Sequence, residues 1–170
     1  MFGKVWKQKR TLPVTVLVAI MFSGILSIVL GVVPALATPP EGLSGTPLAA
    51  GTIDEAVRAK FKDGAEGFGR GTDVSNIVMV KFVLEPGGTF GWHQHGGPVW
   101  AVVTSGTLTL YDEACQPEIV SAGEAFLDGG NHTHNAFNEG SEPVEIYATF
   151  MLPTGGEARI DVPDPGTCTN

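Results

Sequence analysis

The sequence predicts an all-β domain built as a sandwich or barrel. Three observations carry this. Short runs of β-branched and apolar residues recur at regular spacing through the second half of the chain. Glycine- and proline-containing turns separate them, as at Pro86-Gly87-Gly88, Ser105-Gly106, Ala122-Gly123 and Gly129-Gly130. Beyond residue 37 no helical period extends for more than a few turns.

Taken in order, residues 38–52 are rich in Pro, Gly and Ala and read as a flexible lead-in. Ile53 to Phe61 alternates apolar and charged residues, which suits a strand, although Thr52 and Glu55 also have the spacing of a helix capping box. The alternation decides for strand. Asp63 to Asp73 is glycine-rich and turn-like. Ile77–Leu84 is the next strand, ending at Pro86-Gly87-Gly88. Val99–Val103 follows, and Gly106 closes it at a hairpin into Thr107–Tyr111. Ile119-Val120 and Ala125–Leu127 are short strands, and Val144–Leu152 is a long one stopped by Pro153.

Ahead of this domain lies a different kind of sequence. Lys4, Lys7, Lys9 and Arg10 precede an apolar run from Leu12 to Val33, and then comes Ala35-Leu36-Ala37. A basic start, an apolar core and a small-x-small site define a signal peptide over residues 1–37, cleaved after Ala37. The run is also long enough to be an uncleaved membrane anchor, for which about 20 residues suffice. No cysteine near the site supports lipid attachment. Either way the domain is expected to be secreted or otherwise extracytoplasmic, in a periplasm or at a cell surface. The formal charge of −8 becomes −12 once the four leader cations leave. Such an acidic surface repels phosphate backbones and argues against a nucleic-acid partner. It leaves room for a local cationic site inside a cavity.

Cys115 and Cys168 are the only cysteines. In an exported chain two cysteines are expected to pair, and no local context marks either as a reactive thiol.

The chain holds four histidines in two tight clusters, His93 with His95 and His132 with His134. Residues at i and i+2 of a strand share a face, so His93 and His95 project together while Gln94 faces away. Clustered imidazoles in an acidic protein suggest a metal. The spacing around them resembles the two motifs of the cupin family. Gly87, five residues, His93-Gln94-His95 and a later Gly106 match the first motif. Gly123, five residues, Gly129-Gly130-Asn131, two residues, His134, three residues and Asn138 match the second. The resemblance spans roughly Gly87 to Asn138. It implies a cupin-like barrel, that is, a double-stranded β-helix or jelly roll, over residues 53–170.

The resemblance also implies a metal site of His93, His95 and His134. The first motif's glutamate falls at Val99, which cannot bind a metal, and the second motif's Pro and Gly fall at Gly129 and Asn131. Three neutral imidazoles without a carboxylate leave the charge of a divalent ion uncompensated, which favours an anionic ligand or hydroxide. Three protein ligands leave open positions. Imidazole does not discriminate among Fe, Zn, Mn, Ni and Cu. Some cupins use such a site for iron-dependent dioxygen chemistry. His132 is read as a solvated loop residue, with a role as fourth ligand or supporting donor left open. Trp100 and Phe126 are candidates to line a pocket beside the metal, amid aromatics that mostly belong to the core. Asp128 and Glu124 lie nearby, with nothing in the sequence to pair them for acid–base work.

Two functions fit this reading. One is a metal-dependent enzyme acting on a small organic molecule. The other is a non-catalytic barrel that binds a metal or small ligand. The resemblance adds a third role, a homodimer formed through barrel edges that would protect exposed strands.

Overall fold

The computed structural model describes residues 37–59 and 72–168. The expected leader up to residue 36 and the glycine-rich stretch 60–71 lie outside the described residues. Ten strands follow one another: β1 (Glu41–Ala59), β2 (Thr72–Thr89), β3 (His93–Gln94), β4 (Val99–Ser105), β5 (Thr107–Asp112), β6 (Pro117–Ser121), β7 (Ala125–Asp128), β8 (His134–Phe137), β9 (Val144–Leu152) and β10 (Ile160–Asp161). All pairings are antiparallel. One wall of the barrel runs β1-β2-β9-β4-β7 and the other β6-β5-β8-β3-β10. They join where Thr89 of β2 meets Phe137 of β8, giving a nearly closed jelly roll.

The period of two decides what faces inward. Along β9, Val144, Ile146, Ala148, Phe150 and Leu152 are buried, while Tyr147 is exposed. Along β4, Val99, Ala101 and Val103 are buried, while Trp100 and Val102 are exposed. These inward residues join Leu84, Leu108 and Val120 in one core.

Three expectations about segments need correction. Residues 41–52 are not a flexible lead-in but the first part of β1, paired with β2 from Glu41 to Thr52. Long-range pairing with an established strand overrides local composition. Pro47 is tolerated because β1 is an edge strand and its register shifts between Pro47 and Ala49. The second part, to Ala59, is strand as expected, so the capping-box alternative is not used.

Nor does β2 stop at Pro86-Gly87-Gly88. The register shift between Glu41 and Leu43 absorbs these residues as a bulged corner, with Gly87 at φ 74°. The strand thereby leaves β9 and reaches β8. Finally, Gly106 is not the turn of a hairpin. β4 pairs with β7 and β9, whereas β5 pairs with β6 and β8, so Gly106 carries the chain from one wall to the other. It does so at φ 75°, where a Cβ would lie 2.8 Å from the Pro143 carbonyl oxygen.

The C-terminal segment straps the barrel. Ile160 and Asp161 pair with Gln94 and His93. The Gly96 N–H donates to the Glu157 carbonyl at 2.9 Å, and the Val162 N–H donates to the Trp92 carbonyl at 3.1 Å. Ala37 bridges to Pro163, and Cys168 is disulfide-bonded to Cys115. The cross-link closes a separation of 53 residues. By loop-closure entropy it contributes about 4 kcal/mol. Denaturation with and without reductant should therefore show a large loss of stability on reduction, and equal midpoints would show that the cross-link contributes nothing.

Candidate metal centre

Three histidines, from β3, the residue after it and β8, line one cavity. His93 opens β3 and pairs directly with His134 at the start of β8. His95 lies two residues beyond His93 on the same face. Their candidate ligand atoms all lie within 4.8 Å of one another. Bonds of about 2.0–2.1 Å to a single ion would require the rings to draw closer together. His93 and His95 are buried and His134 is partly so.

Each ring is turned by an oxygen behind it. Nδ1 of His93 donates to the Gly91 carbonyl at 2.7 Å. Nδ1 of His95 donates to the Ala158 carbonyl at 2.6 Å. Nδ1 of His134 is shared between Asp128 Oδ2 at 3.0 Å and the His132 carbonyl at 3.1 Å. A carbonyl can only accept, so each Nδ1 carries the proton and each Nε2 keeps its lone pair. These are the oxygen partners that orient metal-binding imidazoles.

The backbone makes those oxygens available. Gly91 sits at φ 73°, and a Cβ there would run into the Thr38 carbonyl oxygen. Gly130 turns the loop before β8 at φ 113°. Its carbonyl accepts from the His95 and His132 backbone N–H groups at 3.1 and 2.8 Å, tying the two histidine loops together. Asn138 is buried, and its amide nitrogen donates to the Leu84 and Glu142 carbonyls at 2.9 and 2.8 Å. The motif asparagine therefore closes a corner and does not touch the site.

Burial governs the electrostatics. Desolvation, with repulsion from His134 and then His95, pushes the His93 imidazole from its ordinary 6.5 down to about 2. Desolvation and repulsion from His134, opposed by Asp128, push His95 down to about 4. Both rings are neutral at physiological pH, as metal ligation requires.

The cavity beside the histidines has a volume of about 290 Å³ and is lined chiefly by apolar side chains, among them Phe82, Phe90, Phe126 and Phe150. Phe90 stacks on His93 with centroids 6.1 Å apart, and Phe150 meets His95 edge-on at 5.4 Å. Phe126 is among the residues that line the cavity. Trp100 is not: it follows the inward Val99 and lies on the outer face, 45% exposed. The exposed His132 side chain is not among the clustered rings, and its contribution to His134 comes through its carbonyl.

Two polar residues of the lining were not assigned from sequence. Asp128 lies directly across from Val99 in the β4–β7 pairing. A carboxylate is thus present beside the vacated glutamate position, but it sits behind His134 and also accepts the Gly130 N–H at 2.6 Å. Arg159 lines the same cavity from the C-terminal strap. Asp128 could be found only through the strand register, and Arg159 only through the pairing of β10 with β3.

The sequence matches the Cupin domain family over residues 80–150. No curated protein matches it. Among solved structures, the fold is similar to the polyketide cyclase RemF from Streptomyces resistomycificus. That likeness has 16% identity and a TM-score of 0.50, and covers 76% of this chain and 78% of that one. Oxalate oxidase in complex with the substrate analogue glycolate aligns at 22% identity with a TM-score of 0.49, covering 71% and 55% of the two chains. A cupin-like protein from Thermotoga maritima aligns at 19% identity with a TM-score of 0.48, covering 52% and 65%.

Two outcomes follow from the site. With both histidine values lowered, unfolding takes up a proton at each ring below about pH 6.5. Stability of the metal-free protein is then lost as pH falls from there, toward about 4 for His95 and about 2 for His93. Each ring contributes up to about 1.4 kcal/mol per pH unit. Urea midpoints at pH 7 and 5.5 should differ, and His93→Gln should narrow the gap; an unchanged gap would contradict the assignment. Because Val99 faces the cavity, Val99→Glu should tighten divalent-metal binding in a calorimetric titration, whereas Asp128→Asn should weaken it by about 10–100-fold.

Proposed function

Because the chain belongs to the cupin family, its Cupin domain covering residues 80–150, we propose that it is an extracytoplasmic, single-metal enzyme acting on a small organic molecule. The carrying observation is the grouping of His93, His95 and His134, with candidate ligand atoms within 4.8 Å of one another, in the wall of a largely apolar cavity. The disulfide supports a location outside the cytoplasm. Among the described residues no helix is long and apolar enough to cross a membrane.

The donor set fits one divalent ion: three imidazoles with anchored Nδ1 groups and, among the described residues, no fourth protein ligand in the cluster. An ion held there by His93, His95 and His134 would supply Lewis acidity or, for a redox-active metal, one-electron chemistry. The remaining work belongs to the protein. Asp128 holds the His134 proton and places one negative charge behind the site. Val99 leaves space where a carboxylate would otherwise stand. Phe90 and Phe150 pack against the His93 and His95 rings.

A non-catalytic barrel that only binds a metal or ligand is the second reading. It is favoured by Val99 and by Asp128 being engaged with His134, which leaves no unengaged acid or base beside the histidines. Elemental analysis of the untagged protein from its native compartment, alongside His93→Ala, tests the shared premise. About one metal per chain, lost in the variant, is expected. No metal in either protein would overturn the metal reading. With the metal in place, consumption of oxygen or substrate separates an enzyme from a binder, which only saturates.

A further inference from the structure

The strap residue Arg159 is only half engaged. Its Nε donates to Asp161 Oδ1 at 2.6 Å. Its Nη2 is buried and has no hydrogen-bond partner, alone in this among the side-chain nitrogens and oxygens of the described residues. A buried polar donor left unmade is costly, and more so when the group is charged. Arg159 is also the only lysine or arginine in the lining of the histidine cavity. Asp128 is the only acidic residue there, and its two oxygens already serve His134 and Gly130. Arg159 thus lines the cavity while one of its guanidinium nitrogens lies buried without a partner and its Nε is held by Asp161.

The strap fixes this group relative to the histidines. The carbonyl of Ala158, the residue before Arg159, accepts the His95 Nδ1 proton at 2.6 Å, and Ile160, the residue after, pairs with Gln94. The rest of the wall is aromatic or aliphatic. At about 290 Å³ the cavity lies at the small end of ligand sites, which run about 300–1,000 Å³.

We propose that Arg159 is the specificity residue of the site and receives the carboxylate of a small organic acid whose apolar body lies among Phe82, Phe90, Phe126 and Phe150. This deepens the reading above by naming the ligand class, and its occupancy of the same cavity rests on that reading. A planar carboxylate suits a guanidinium, whose N–H groups form a rigid fork. A body without polar groups suits walls that offer no other donors.

The test compares acids with their uncharged amides. Phenylacetate, benzoate and 3-methylbutanoate are titrated calorimetrically into the full-length protein, metal-loaded and metal-free, each against its amide. At least one acid should bind tenfold or more tightly than its amide. Arg159→Leu should erase that preference while retaining metal at wild-type stoichiometry, and Arg159→Lys, which keeps the charge but loses the fork, should retain part of it. If none of the three acids outbinds its amide in the wild-type protein, the proposal is overturned, whether or not the leucine variant folds. Acid preference that survives in Arg159→Leu also overturns it. The metal reading fails separately: a protein without metal that still prefers acids would keep Arg159 and lose the metal centre.

Discussion

The Nδ1 anchors are the constraint on which the rest depends. An imidazole has two nitrogens, and an unheld ring can present either to a ligand. Here the Gly91 carbonyl, the Ala158 carbonyl and the paired oxygens of Asp128 and His132 hold the three rings from behind. Each acceptor comes from a different part of the chain: the turn before β3, the C-terminal strap and the loop between β7 and β8. The barrel's task is to bring those three segments together. The register of β3 on β8 sets His93 against His134, and β10 on β3 brings in the strap. The disulfide ties the end of that strap to the turn between β5 and β6.

Charge is organised around the same anchors. Two of the rings are kept neutral by burial and by one another. The single carboxylate of the cavity stands one bond network away, behind His134 rather than at the Val99 position. A divalent ion here would meet neutral donors and one distant negative charge, so the cavity as a whole favours an anionic guest. Arg159 adds to that balance from the strap beside β3. The acidic surface of the chain does not oppose it, because the cavity walls are apolar and the surface charges are screened by solvent.

Much of this was legible because it obeys a local period. His93 and His95 share a face at a spacing of two, and β9 runs from Val144 to Leu152 as the sequence indicates. The pairing of Cys115 with Cys168 followed from the number of cysteines and the expectation of export. The same period also places Trp100 outside, since it follows the inward Val99; the pocket role given to Trp100 neglected that parity. What the sequence did not reveal depends on register between distant strands. Residues 41–52 look like a linker until β2 lies beside them. Gly106 looks like a hairpin turn until β4 and β5 are seen on opposite walls. Asp128 meets Val99 only through the β4–β7 pairing, and β10 is two residues long, too short for any periodic signal.

Nitrogen-15 NMR of the histidine-labelled, metal-free protein at pH 7 tests the central claim most directly, because it reads the tautomer of each ring. The account predicts that His93, His95 and His134 are all protonated at Nδ1, with Nε2 unprotonated. A proton on Nε2 of any of the three, or fast averaging between tautomers, would show that the oxygens behind the rings do not hold them, and would contradict a metal centre preformed by the fold.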